Sequence, residues 1–312
     1  MKKYYQVMEY GLPARMRGNR MVKILVCVDD TDDISKKTST GKVAEMMAGE
    51  VKKLGGEIVL GITRHQHLLH ESIAYTSHNS SMCFESAILE ENLDSLWENM
   101  SAILRKEMAE TSDPGLCMCR MDSVSAVHKL IAFGKRSQQE VLQKKEAFHL
   151  AEETDVRLEA FNRSGLGVIG ALAGMGLRLS GNDGTFRGKN IQGINPGMFL
   201  VGDCKKKLDV SQVITMTGQY LPDDREVYLE INMKLIYFNH QKMAIAEEQE
   251  NGVYKICDKS GLYNANWKQQ DWRSPCDMFS LDNDKNECYG NERSCHNCQF
   301  RRWTPNGISC VN

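Results

Sequence analysis

The most constraining feature of this chain is a junction near its start. Val22-Lys23-Ile24-Leu25-Val26-Cys27-Val28 is a short apolar run rich in β-branched residues, and Asp29-Asp30-Thr31-Asp32-Asp33 follows it directly. Such a run predicts a buried strand. The carboxylates behind it must leave the apolar core at once, because a buried unpaired charge is costly. A helical period follows over 41–54, with Val43, Ala44, Met47 and Val51 on one face and Gly55-Gly56 as its stop. Residues 57–63 read as a second strand. Strand, polar loop, helix and strand in that order predict an α/β unit.

Ligands of open α/β sheets bind beyond the carboxyl ends of strands. Asp29, Asp30 and Asp32 are hard oxygen donors that suit Mg²⁺ and, through it, phosphate. Thr38-Ser39-Thr40-Gly41-Lys42 puts hydroxyls, a glycine and a cation at a helix N-terminus, where a phosphate can be cradled. The same residues also read as an N-cap behind a solvated acidic turn. The spacing of a Walker A loop is absent. Further on, Gly165-Leu166-Gly167-Val168-Ile169-Gly170 has GxGxxG spacing. No clear βαβ unit with a fitting acid surrounds it. Close helix packing, with a phosphate approaching the backbone, is therefore preferred to a dinucleotide site.

The rest of the chain is read more coarsely. Residues 84–108 predict a long amphipathic helix or helix pair. Asp113-Pro114-Gly115 predicts a turn, 116–121 is a mixed, largely apolar run, and 137–154 is charged and helical. Residues 158–161 predict a short strand and 165–179 an apolar helix. Residues 198–201, 213–217 and 227–231 are strand candidates, and beyond about Asn232 the signals are weak.

Composition narrows the class. With 39 basic and 41 acidic residues in 312, the chain is not a generally basic nucleic-acid coat, although a local basic groove is allowed. No apolar run is long enough to cross a membrane. Residues 1–20 lack the apolar segment of a secretory signal and read as an extension, with Met21 an alternative start. The expected location is the cytoplasm, with reduced thiols. Six of the 11 cysteines lie between Cys257 and Cys310. Cys288, Cys295, Cys298 and Cys310 have spacing C-x6-C-x2-C-x11-C, which predicts Zn²⁺. An iron–sulfur cluster and free thiols are the alternatives. Cys276 is a reserve ligand. Arg301-Arg302-Trp303 is either an RNA contact or a packed Trp with solvated arginines. His65, His67, His70 and His78 are expected on a loop facing nucleotide and substrate, with a metal-binding cluster or plain surface histidines as the alternatives.

Val28-Asp29-Asp30-Thr31-Asp32 resembles the strand-loop signature of the kinase domain of the archaeal 2-agmatinylcytidine synthetases, which modify an isoleucine tRNA. The stretch Thr38 to Ala44 is similar to the Thr-rich start of the family's next helix. Arg64 with Tyr75-Thr76-Ser77-His78-Asn79-Ser80 resembles its Arg-led loop and Thr-x-x-Asn segment. Asp113-Pro114-Gly115-Leu116, the stretch Arg163 to Ala173, and Asp183-Gly184-Thr185-Phe186 complete the order over roughly 22–188. Three departures stand out: Asp33 in place of Ser, His65-Gln66-His67 in place of Asn-Pro after the arginine, and Ser164 in place of a glycine. About 80 residues follow Ile231, and they show little of the regular short strands expected of the family's OB-fold.

The resemblance implies a kinase-like α/β domain at 21–125, a ferredoxin-like domain at 126–231 and a Cys-rich region at 232–312. It implies ATP and Mg²⁺ as cofactors, phosphorylation of the C2 oxygen of a tRNA cytidine, and displacement of that phosphate by an amine such as agmatine. Asp29, Asp30 and Asp32 would hold metal. Thr40 would take or face phosphate, with Ser39 or Thr38 as register alternatives, and Arg64 would stabilise transferred charge. Thr31, Asp32, Ser39, Lys42, Asn79, Gly165, Gly167 and Asp183 would line the nucleotide. The expected function is an ATP- and Mg²⁺-dependent phosphoryl-transfer or ligase-type enzyme acting on a tRNA or a small molecule. The alternative is a non-catalytic nucleotide- or RNA-binding module with a metal-stabilised tail.

Overall fold

The apolar run becomes strand β1 (Met21–Asp29), at the centre of its half of a large sheet. Both faces of β1 are buried from Ile24 onward, which is why its sequence is nearly continuous in apolar residues instead of alternating. The computed structural model describes residues 20–32, 38–70, 72–73, 79–162, 164–187, 194–230 and 233–257, with the backbone of 301–304 and 307–310.

After β1 come α1 (Thr40–Lys53), β2 (Glu57–Gln66), β3 (Ser80–Leu89), α2 (Leu93–Glu107) and β4 (Gly115–Arg120). The strands lie in the order β4-β1-β3-β2, with β1 antiparallel to both neighbours. This is the split β-α-β arrangement of ferredoxin-like folds. It occupies residues 21–120, the segment expected to be kinase-like, and not residues 126–231. Helices α1 and α2 cover one face, where Val43, Met47 and Val51 meet Val26, Phe84, Trp97 and Met100.

The opposite face is covered by α3 (Val127–Arg136), α4 (Lys144–Glu153) and α5 (Gly167–Leu179), while β5 (Arg157–Ala160) extends the sheet beside β4. Here Leu25, Cys27, Cys83 and Cys117 pack against Val168, Ala171, Leu172 and Met175. The packing thus runs across position 125/126 of the expected division.

The short β6 (Thr185–Phe186) joins this half to a second one. That half contains β7 (Gly197–Leu200), α6 (Val201–Leu208), β8 (Gln212–Thr215), β9 (Glu226–Leu229), β10 (Leu235–Phe238), β11 (Gln241–Glu248) and β12 (Tyr254–Ile256). Its core gathers Val201, Leu208, Val213, Val227, Leu235, Ala244 and Ile256, and so runs across position 231/232 as well. Farther along, β13 (Arg301–Thr304) and β14 (Gly307–Cys310) pair with each other. The architecture is mixed α/β, and among the described residues no helix is long and apolar enough to cross a membrane.

Two local expectations fail for physical reasons. The predicted helix start at 84 is the middle of β3, a central strand buried on both faces, so its sequence shows no alternation. Its Met, Glu, Ala and Leu are good helix formers, and tertiary context overrides that weak preference. The weak signals after Asn232 conceal β10 and β12, too short to display a period, and β11, whose residues from Met243 to Ala246 are buried consecutively and so do not alternate.

Candidate functional site

Because β1 and β2 run parallel while β3 and β4 run against them, the carboxyl end of β1 lies beside the start of β4, with Asp29 opposite Gly115. Two helices bring their N-termini to this end from opposite faces. On one face α1 begins at Thr40, whose hydroxyl donates to Asp32 Oδ1 at 3.1 Å and accepts from Thr31 Oγ1 at 3.1 Å. Ser39 is the N-cap and its hydroxyl accepts from the Lys42 N–H at 3.3 Å. The Thr31 carbonyl accepts from the Ala109 N–H at 3.0 Å, which pins the acidic loop to the end of α2.

On the other face α5 arrives through glycines. A Cβ on Gly167 would stand 2.2 Å from the Asp113 carbonyl oxygen, and a Cβ on Gly170 would stand 1.7 Å from Asp29 Oδ2. The Asp29 carboxylate therefore lies directly against the helix backbone, which only glycine permits. Asp113 ties the parts together. Its N–H donates to Asp30 Oδ2 at 3.2 Å, its Oδ1 accepts from the Gly165 N–H at 2.7 Å, and its Oδ2 accepts from Leu166 N–H and Ser164 Oγ. Gly165 takes φ +64°, a left-handed conformation natural to glycine. Asp30 also sits in the left-handed region, at φ +54°, which is local strain at a site of chemical interest.

Burial and mutual repulsion disfavour the ionised forms of these carboxyls. Burial pushes the Asp29 carboxyl well above the usual range, and the charge of Asp30 adds to it. Burial pushes Asp30 up to about 6, with Asp113 and Asp32 adding repulsion. Among the described residues no group of three or more His, Cys, Asp or Glu side chains is placed to hold a metal ion. Mg²⁺ does not need one, since it takes one or two carboxylates and fills its shell with phosphate oxygens and water. One or two carboxylates among Asp29, Asp30 and Asp32 would suffice for that donor set.

The other expected residues are distributed unevenly. Arg64 lies on β2, where its Nε donates to Ser80 Oγ at 3.0 Å. Lys42 pairs with Glu45 on the exposed side of α1. Asn79 pins the chain before β3, its side chain donating to the Leu68 carbonyl at 2.6 Å. Asp183 is buried, and both carboxylate oxygens are engaged inside the protein, with His65 Nδ1 at 3.0 Å and Gln138 Nε2 at 2.8 Å. The geometry gives Asp183 an internal role. His65 and His67 are likewise not on a ligand-facing loop: they are buried on and just after β2, bonded to Thr63 and to Ser81 and Ser137. Cys288, Cys295 and Cys298 lie outside the described residues, as does the side chain of Cys310 in β14.

Three residues of the site were not singled out in the sequence. Asp113 read as a turn former, Gly170 as generic helix packing, and Arg187 carried no signal. Arg187 follows β6 and reaches α1, where its Nε donates to Glu45 Oε1 at 3.0 Å.

No protein-family model and no curated protein matches the chain. Among solved structures it is similar to a complex of TiaS with an isoleucine tRNA and ATP, at 20% identity over 56% of this chain and 42% of that one, with a TM-score of 0.45. It is also similar to a tRNA fluorescent labeling enzyme, at 21% identity over 59% and 44%, TM-score 0.44. Apo TiaS, a tRNA agmatidine synthetase, gives 19% identity over 59% and 44%, TM-score 0.44. The chain spans less than half the length of each of these proteins.

Proposed function

We propose that the chain is an ATP- and Mg²⁺-dependent phosphoryl-transfer or ligase-type enzyme whose acceptor is a cytidine of a tRNA. The observation that carries this reading is the convergence of two helix N-termini, from opposite faces of one sheet, on a strand end bearing Asp29, Asp30 and Asp32. Helix N-termini favour anions and carboxylates favour cations, and a metal–polyphosphate satisfies both at once. The tRNA acceptor and the amine that follows it rest on the ordered motifs that resemble the 2-agmatinylcytidine synthetases.

The side chains divide the work accordingly. Asp29, Asp30 and Asp32 would hold Mg²⁺, which when bound neutralises charge on phosphate oxygens. The N–H groups that open α1 would orient the phosphates, whereas Gly165, Leu166 and Gly167 at the start of α5 already give theirs to Asp113. Thr40 points its hydroxyl hydrogen at Asp32, the arrangement of a hydroxyl beside a base, and its oxygen accepts from Thr31, a bond that would have to give way before it attacks phosphorus. In such a transfer the Thr40 oxygen bonds to the terminal phosphorus, the bond to the ADP oxygen breaks, and the proton passes to Asp32.

The test is incubation of the protein with labelled ATP, Mg²⁺, unmodified isoleucine tRNA and agmatine. Formation of AMP with amine-bearing cytidine supports the ligase reading, and ADP with phosphothreonine at position 40 supports the transfer step. A protein that neither binds nor consumes any nucleotide sinks the reading.

A further inference from the structure

Cations are disfavoured at a helix N-terminus by the helix dipole. A guanidinium nevertheless lies on the first turn of α1. A Cβ built on Gly41 would come within 2.3 Å of Arg187 Cζ and Nη1. The side chain that Gly41 lacks is thus replaced by the head of Arg187. Glu45, one turn on, accepts from Arg187 Nε at 3.0 Å and from Lys42 Nζ at 3.1 Å. One carboxylate therefore serves two cations. Arg187 Nη1 and Nη2 have no hydrogen-bond partner among the described residues.

Strand pairing fixes where this cluster faces. The Arg187 N–H donates to the Ile62 carbonyl, and Arg64 pairs with Thr185. Side chains alternate along strands, so Arg64 and Arg187 share the face of Met82 and Val28, the face covered by α1. Gly41 is joined to Thr40, whose hydroxyl is bonded to Asp32. A surplus of positive charge, with the Nη1 and Nη2 amino groups of Arg187 unspent among the described residues, thus adjoins the acid cluster at a helix N-terminus. A single metal ion leaves that surplus unanswered, whereas a chain of phosphates spans both.

We propose that Arg187 contacts the phosphate chain of a nucleoside triphosphate, held ready by Glu45 and seated on α1 because position 41 carries no side chain. The proposal rests on the nucleotide-binding reading above and assigns a residue that reading does not use. Arg supplies a planar fork that matches phosphate oxygens, which Lys cannot reproduce.

The test compares ATP and AMP affinities, with Mg²⁺, by calorimetry on the full chain and its variants. Arg187→Ala should weaken ATP binding roughly 10- to 100-fold, the loss expected for charge-assisted hydrogen bonds, and leave AMP within about twofold. Gly41→Ala should show the same selective loss, because its methyl group displaces the guanidinium. Arg187→Lys should fall between wild type and Arg187→Ala, and it carries the test if the alanine variant does not fold. Equal weakening of ATP and AMP, or no change in their ratio, overturns the proposal while leaving nucleotide binding intact. A wild-type protein that binds neither nucleotide overturns both.

Discussion

At the scale of single residues, the contact between Asp29 and Gly170 decides whether the acid cluster can exist. A Cβ on Gly170 would stand 1.7 Å from Asp29 Oδ2 and 2.6 Å from Cγ, so either the carboxylate or α5 must move. Gly170→Ala should cost about 1–3 kcal/mol of stability, as overpacking does, and abolish Mg-ATP binding. Gly49, on the amphipathic helix α1, has nothing within 4 Å of its would-be Cβ. Gly49→Ala should therefore be neutral or stabilise by up to about 1 kcal/mol, since alanine loses less backbone freedom. Urea melts and nucleotide titrations of both variants check the pair; a harmless Gly170→Ala would dissolve the proposed contact. Asp30 gives a pH prediction. Its carboxyl is raised from the ordinary 3.8 to about 6. Between those values the native state keeps a proton that the unfolded chain has released, so stability falls as pH rises across the window. The decline attributable to Asp30 ends above about 6, and Asp29, also raised, extends it. Asp30→Asn should flatten the metal-free stability curve between pH 4 and 6 and also remove turnover. Denaturation curves that stay parallel to wild type across that range would exclude Asp30 as the titrating group.

At the scale of elements, the first turn of α1 separates folding from chemistry. Ser39 is the cap, while Thr40 faces Thr31 and Asp32. Ser39→Ala should cost about 1 kcal/mol of stability with turnover nearly intact. Thr40→Ala should leave melting close to wild type and reduce turnover about a hundredfold, the scale of losing a group placed at developing charge. Comparing melting temperature with kcat in the two variants checks the division, which fails if both variants move the same quantity. Much of this turn was legible in the sequence, because a Ser-Thr-Gly before a periodic apolar run signals a helix start directly. The strand before it was legible too, since its burial on both faces leaves a continuous apolar run. The same burial made β3 illegible: without alternation, Met82, Ala87 and Leu89 look helical. The contacts that complete the site were hidden for another reason. Asp113 reaches Asp30 from 83 positions away and Arg187 reaches Glu45 from 142, and no local period records such pairings.

At the scale of the whole molecule, the two halves of the sheet meet through β6, which is only two residues long. Thr185 pairs with Arg64 on one side and with Ile236 on the other, so ladder hydrogen bonds alone make a thin joint between two separate apolar cores. Arg178 reinforces it. This buried residue at the end of α5 donates from Nη1 to Thr63 Oγ1 at 2.9 Å and stacks its guanidinium 3.8 Å from the Tyr237 ring centroid. Phe186 lies on the same guanidinium at 5.7 Å. Thr63 belongs to the first half and Tyr237 to the second, so one side chain on a helix of the first half grips both. Among the described residues its Nε and Nη2 have no hydrogen-bond partner, and the desolvation cost is met by π faces. A desolvated cation–π contact of this kind contributes about 2 kcal/mol or more, and here that energy couples two cores. Wild-type protein should then unfold in one calorimetric transition, and Arg178→Ala should split it in two, with Mg-ATP raising only the transition of the half that carries Asp29. Arg178→Met fills most of the same volume without charge. If it restores the single transition, apolar packing and not the cation joins the halves. If the alanine variant simply melts lower in one step, β6 and its neighbours hold the molecule together without Arg178.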